Sequence, residues 1–275
     1  MLGAKLDNRG VILVSGDDAY AFLQGIITND VMQLNAEHAM YACFLTPQGK
    51  YLADFFMYHH HDGILLDVDR VLLPDLLKRM TMFKLRSKVT LEDVSAQYTV
   101  HAIWQTHIHP DIPNTRVYGD PRHAGMGYRV LGTAETVLDM EQGDYRLWQM
   151  MHGLADACDF ERERTAMLEA NMDYLNALSW TKGCYMGQEL TARTHYRGLI
   201  KKRFLPIELP HDMDIQPDTV MTRDGKTVGF IRGSYKNRAL GLVQLDILDA
   251  GHHCEIDGVQ AVIKIPEWFA AKQPE

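Results

Sequence analysis

Beyond Gly198 the sequence changes character, and this change restricts the fold more than any other feature. "KRFLPIEL", "DTVMTRDGKTVGFIRGS", "RALGLVQLD" and "HHCEIDGVQAVIKIP" are apolar runs of strand length broken by turn residues. Asp224-Gly225 and Asp257-Gly258 suit tight hairpins, whose central positions take positive φ. Consecutive strands of this kind, with no helix between them, close into a small β-barrel or sandwich. The boundary is expected near residue 200.

The part before that boundary alternates between the two periods. "RGVILVSG" is a β-branched run, and "DDAYAFLQGIITNDV" follows as a helix capped by Asp17 and ended by Gly25. "YACFLTPQGKYLADFFMYHH" reads as strand, turn, strand, with Pro47, Gln48 and Gly49 making the turn. "GILLDVDR" is a strand, and "VLLPDLLKRMTMF" a helix with Leu72, Leu76, Leu77 and Met80 on one face. "RSKVTLEDVS" and "QYTVHAIWQT" are strands, and residues 107 to 127 form an irregular connection. "DYRLWQMMHGL" and "TAMLEANMDYLNAL" read as helices. This order predicts an α+β class with helices on one face of antiparallel sheets.

At 275 residues the chain is long enough for two or three compact units. A net charge of −8 argues against broad nucleic-acid binding. No apolar run reaches the roughly 18 residues of a membrane span. The first residues carry neither a long apolar stretch nor an Arg-rich pattern, so a cytoplasmic chain, or a processed mitochondrial matrix form, is expected. Cys43, Cys158, Cys184 and Cys254 are scattered with no C-x-x-C, which disfavours a disulfide framework or a zinc ribbon. "HHHD" at 59–62 and "HHC" at 252–254 fall in strands, where neighbours point to opposite faces, so no metal site is expected.

The chemistry concentrates in "TKGCYMGQELTARTHYRG", residues 181–198. Gly183 and Gly187 free the backbone on both sides of Cys184, and Gln188 and Glu189 open a helix. A thiol just before a helix N-terminus, beside Lys182, is placed to form a thiolate. The alternative is a buried cysteine in a tight turn whose glycines serve packing. The density of special residues favours the functional reading.

"KGCYMGQE" resembles the signature of the YgfZ family, folate-binding relatives of the glycine-cleavage T-protein, an aminomethyltransferase. Other stretches match in order: "FLQGIITNDV" at 22–31, "LTPQGKYLADF" at 45–55, "YGDPRHAGMGYRV" at 118–130, residues 169–198 and "KKR" at 201–203. The likeness covers most of the chain and is loosest at 56–115 and after 205. It implies a T-protein-like fold of two α+β, ferredoxin-like units around a central cleft, plus a C-terminal β-barrel. Residues 1–46 and 98–200 would form the first unit, 47–97 the second and 201–275 the barrel, with the Cys184 loop facing the cleft. It further implies a role in the assembly or repair of iron–sulfur proteins, with carrier or client proteins as partners and tetrahydrofolate or a related folate as cofactor. Cys184 and Lys182 would be the chemical residues.

A pterin needs aromatic faces and an acceptor edge, and its glutamate tail needs cations. Tyr145, Trp148 and Tyr185 are the candidate faces. Glu169 and Glu189 are candidate acceptors, with Gly187 and Gln188 beside them. Arg193, Arg197, Lys201, Lys202 and Arg203 are candidate tail contacts. Core packing and a solvated face are the competing uses. Registered on Gly153, the Arg-x-Glu of T-proteins becomes "QMM", Gln149 to Met151, so weak folate binding is expected, tightened by Met151→Glu. The T-protein catalytic aspartate has no secure match. Asp67 and Asp69 are nearest, and a turn is their expected use. A folate-dependent methyl or aminomethyl transferase and a non-catalytic scaffold are the competing functions.

Overall fold

A computed structural model describes residues 2–133 and 138–271. The strands are β1 (Leu2–Lys5), β2 (Arg9–Ser15), β3 (Met40–Leu45), β4 (Tyr51–His60), β5 (Gly63–Asp69), β6 (Thr90–Asp93), β7 (Thr99–Trp104), β8 (Thr115–Gly119), β9 (Tyr128–Gly132), β10 (Lys202–Glu208), β11 (Val220–Arg223), β12 (Lys226–Tyr235), β13 (Arg238–Gln244), β14 (His253–Ile256) and β15 (Val259–Ile263). The α-helices are α1 (Ala19–Ile26), α2 (Leu73–Lys84), α3 (Gln142–Met151), α4 (Gln188–Tyr196) and α5 (Glu267–Ala270).

Strands β3-β4-β5-β2-β6 form a five-stranded sheet, β1-β7-β9-β8 a four-stranded sheet, and β10-β13-β12-β11-β14-β15 a closed barrel. The ladders between these strands run antiparallel. The barrel starts at Lys202, so the boundary expected near Gly198 holds. Its two Asp-Gly turns carry the required positive φ: 50° and 72° at Asp224 and Gly225, 49° and 80° at Asp257 and Gly258.

The expected division of the first 200 residues does not follow the sheets. Strands on both sides of residue 46 share the five-stranded sheet, because β3 pairs with β4 across the Pro47–Gly49 turn and β2 pairs with β5. A hairpin cannot be split between two units. Smaller corrections have local causes. Helix α1 runs through Gly25 to Ile26, and Asp18, not Asp17, stands at its N-cap, with its carboxylate accepting from the Lys88 N–H. Residues 165–177 make successive turns rather than a helix, since Asn171 and Asn176 take left-handed φ of 60° and 58°. The Asn171 amide donates to the Phe204 carbonyl, which fixes this segment on β10. The connection at 107–127 contains strand β8.

Candidate functional site

Cys184 lies on a loop fixed from both ends. At its start, the buried Lys182 ammonium donates to the carbonyls of Ile27 (2.8 Å) and Asn29 (2.6 Å), just after α1. It lies 5.1 Å from the Tyr185 ring centre. Burial, only partly offset by Asp30, lowers its pKa to about 8. The Met186 N–H donates to the Gly25 carbonyl, and Ser179 N–H to that of Thr28. At its end, Gly187 takes φ 85° as the N-cap of α4. A Cβ there would meet the Thr46 carbonyl oxygen at 2.6 Å, and a Cβ on Gly49 would meet the Gly187 oxygen at 2.8 Å. The turn after β3 and the loop before α4 therefore meet glycine to glycine. Gly183, by contrast, faces open space.

Between these anchors Cys184 is exposed, as is Cys158, whereas Cys43 and Cys254 are buried. Burial pushes the other thiols up: Cys254 to about 11, Cys158 to about 12 with help from the Asp159 charge, and Cys43 well above its usual value. Helix α4 carries a Glu189–Arg193 pair at 3.3 Å, and Arg193 and Arg197 are exposed. His195 stacks on Trp180 at 4.0 Å. Leu190, Tyr196 and Leu199 are exposed apolar side chains on the same segment. A cavity of about 370 Å³ lies between α4 and the barrel start, lined by Lys50, Glu169, Leu190, Thr191, Lys201 and Lys202 among others.

The larger cavity, about 620 Å³, is elsewhere. Helix α3 packs on β1 and on barrel strands β10, β12 and β13, and it lines this cavity with Gln142, Tyr145, Arg146 and Gln149. These positions form one helical stripe. The sheets add Arg9, Asp54, Phe56, Asp69 and Arg129, and the barrel adds Ile215, Arg232 and Tyr235. Beneath it, Asp67 accepts from Arg9 Nε (2.6 Å) and Arg129 Nη2 (2.5 Å). Burial raises the Asp67 pKa, but the charges of Arg129 and Arg9 outweigh it and hold the carboxyl below the usual range. Arg122 pairs with Asp120 at 2.7 Å and donates to the Tyr145 hydroxyl at 2.9 Å. The Arg129 guanidinium lies 3.7 Å from the Phe56 ring centre.

The structure thus separates residues that the sequence reading put together. Cys184, Lys182, Tyr185, Gly187, Gln188, Glu189, Arg193 and Arg197 do not line the large cavity, and Glu169 lines the smaller one. Only Tyr145, of the candidate folate contacts, reaches the larger space. The Cys184 loop, expected to face the cleft, contributes no lining to the large cavity and is anchored instead on residues 25–29 and 46–49. Met151 is exposed, whereas Gln149 is buried and lines the cavity, so Met151→Glu would place its charge in solvent. Arg203 is buried against Asp173 at 2.8 Å and serves the core. Asp69 caps a turn by accepting from the Val71 N–H at 2.9 Å, and Asp67 holds the two sheets together. The charge cluster of Arg9, Asp67, Asp120, Arg122 and Arg129 was missed. Its signal is thin: Arg9, Asp67 and Arg129 are charged residues in strands, while Asp120 and Arg122 lie in the irregular stretch after β8.

The residues of the large cavity suit a folate. Phe56 and Tyr145 offer ring faces, Gln149 and Asp156 offer acceptors, and Arg146 Nη1 and Arg232 Nε are buried with no hydrogen-bond partner. Both guanidinium groups line the cavity, and each keeps one nitrogen without a protein partner, a charge environment that suits an anionic tail.

Residues 201–271 match the family described as "CAF17, C-terminal beta-barrel domain", and residues 6–104 match the "GCVT N-terminal domain". The mouse (Mus musculus) protein named "Iron-sulfur cluster assembly factor IBA57, mitochondrial" is 31% identical, over 96% of this chain and 84% of the relative. The chain belongs to the IBA57 family. The human relative of the same name is 31% identical with the same coverage. The IBA57 homolog of Mycosarcoma maydis is 38% identical over 74% of this chain, and the match spans 56% of that longer protein. The resemblance to YgfZ thus resolves to the IBA57 branch of related proteins. Among solved structures, the glycine cleavage system aminomethyltransferase T from Bartonella henselae superposes with a TM-score of 0.70 at 11% identity, covering 97% of this chain and 85% of that one. That likeness establishes the T-protein-like α+β fold with its C-terminal barrel.

Proposed function

We propose that this IBA57-family chain serves the assembly or repair of iron–sulfur proteins, and that Cys184 is the thiol presented to a cluster carrier or client. The supporting observation is the contrast between Cys184, exposed on a doubly anchored loop, and the other thiols: Cys43 and Cys254 are buried, and Cys158, though exposed as a residue, has its thiol pushed up beside Asp159. The names of the mouse, human and fungal relatives support the process, and their mitochondrial labels favour the matrix for this chain. A single thiolate cannot complete a cluster site, since clusters are typically held by four cysteine ligands. Cys184 therefore works as one ligand shared with a partner. The exposed Leu190, Tyr196 and Leu199, rimmed by Arg193, Arg197 and Lys201, suit a partner surface with an acidic border. The test is activity of a four-iron client enzyme in cells lacking the native protein. Cys184→Ser should fail to restore it and Cys158→Ser should succeed; full rescue by Cys184→Ser would overturn the assignment.

In this reading a reduced folate occupies the large cavity, with Tyr145 and Phe56 flanking the pterin and Arg146 and Arg232 receiving the tail. The folate would supply a one-carbon carrier or a redox-active pterin. The chain's residues supply binding and exclusion of water. Asp67 is committed to two arginines, which weighs against an aminomethyltransferase reading that would use it as a catalytic carboxylate.

A further inference from the structure

Among the described residues, one group of three or more histidine, cysteine or acidic side chains brings its donor atoms within 4.8 Å of one another: His60, His61 and Asp62. The strand alternation expected to separate them stops at His60, where β4 ends. The following turn folds the two imidazoles to a centroid distance of 4.0 Å. His61 Nε2 lies 2.9 Å from Asp62 Oδ2, and His60 Nδ1 lies 3.9 Å from the same oxygen.

The hydrogen bonds of His60 set its tautomer. Its Nδ1 accepts from the Asp62 backbone N–H at 3.3 Å, so in the neutral ring the hydrogen sits on Nε2. Nε2 is 3.3 Å from the Tyr98 hydroxyl, which takes that hydrogen. A metal would displace the long 3.3 Å contact between Nδ1 and the Asp62 N–H and take that lone pair, while Nε2 stays held from behind by Tyr98, the arrangement of a metal-ligating histidine. His60 is half-buried, while His61 and Asp62 are exposed and free to turn the short distance that coordination at about 2.0–2.2 Å requires.

We propose that His60 Nδ1, His61 Nε2 and the Asp62 carboxylate bind a first-row divalent metal ion of the zinc class, with Tyr98 as the positioning residue behind His60. Two imidazoles and one carboxylate suit zinc, cobalt or copper rather than magnesium or calcium. Water fills the remaining positions on the exposed side. The location gives the ion a structural consequence. Tyr98 leads directly into β7 of the four-stranded sheet, Arg116 of β8 donates to the His59 carbonyl at 3.1 Å, and the rings of Tyr58 and Tyr118 lie 4.9 Å apart. A metal at this turn ties the β4–β5 hairpin to the second sheet.

The experiment is calorimetric titration of the full chain, free of tag histidines, with zinc chloride, together with visible absorption on adding cobalt(II). His61→Ala/Asp62→Asn is the main variant, because both side chains are exposed. Wild type should bind one ion at this turn and gain melting temperature with zinc; the double variant should lose that ion and that gain. Tyr98→Phe should weaken binding by about 10- to 100-fold, the usual effect of removing such a partner. Zinc binding by the double variant with wild-type stoichiometry and affinity would overturn the site. Unchanged affinity in Tyr98→Phe would overturn the positioning role.

Discussion

Asp67 shows how one residue can suggest chemistry in the sequence and serve architecture in the fold. It ends a strand-type run, as catalytic carboxylates often do, yet it is fully buried between Arg9 of one sheet and Arg129 of the other. Breaking a buried pair leaves uncompensated charge and typically costs about 3–5 kcal/mol. Asp67→Asn should lower stability by that order in denaturant unfolding, without touching Cys184. The pH dependence has a defined sign. Because the folded pKa is depressed, the contribution of Asp67 is complete above the unfolded carboxylate value of about 3.9 and is lost as pH falls below it. The variant should lack this acid-side loss. Among the thiols, iodoacetamide at neutral pH should label Cys184 first, as mass spectrometry of the digested protein would show. Faster labelling of Cys43 or Cys254 would contradict their burial.

At the scale of elements, the motif around Cys184 is a docking device as well as a presentation loop. Gly187 and Gly49 come from two stretches far apart in sequence, and their backbones meet where no Cβ fits. Gly187→Ala should cost about 1–2 kcal/mol from its left-handed φ alone, plus displacement of the Thr46 carbonyl. Gly183→Ala should be close to neutral. Hydrogen exchange over residues 181–190 distinguishes them, with faster exchange expected only in the Gly187 variant. Lys182→Met should also loosen this loop, since two backbone carbonyls lose a charged donor. These elements show what was legible. The hairpins, the helix starting at Gln188 and the barrel boundary follow from turn chemistry and periodicity. The Asn171–Asn176 turns were not legible, because the apolar spacing of 165–177 imitates a helix, and only the link from Asn171 to Phe204 selects turns. The stripe Gln142, Tyr145, Arg146, Gln149 was present in sequence, but nothing local said that a barrel would face it. The sequence places Lys182 as an activator of the thiol; the structure commits its ammonium to backbone carbonyls.

The whole molecule keeps its cavity and its exposed thiol apart. The cavity forms where α3 bridges the sheets and the barrel, whereas Cys184 is exposed on a loop that does not line it. Folate binding and thiol function should therefore be separable. In calorimetric titration with tetrahydrofolate, Arg232→Ala should weaken affinity by roughly 10- to 100-fold, the effect of losing one charged hydrogen bond. Cys184→Ser should leave it unchanged. Equal weakening by both would contradict the separation. The central claim is that one thiol takes part in a cluster shared with a partner. Its most direct test is anaerobic mixing of the chain with a cluster-loaded iron–sulfur carrier protein, followed by visible circular dichroism of the cluster. Wild type should change the cluster spectrum and co-elute with the carrier, while Cys184→Ser leaves the spectrum that of the carrier alone; an identical spectral change in the serine variant would contradict the account.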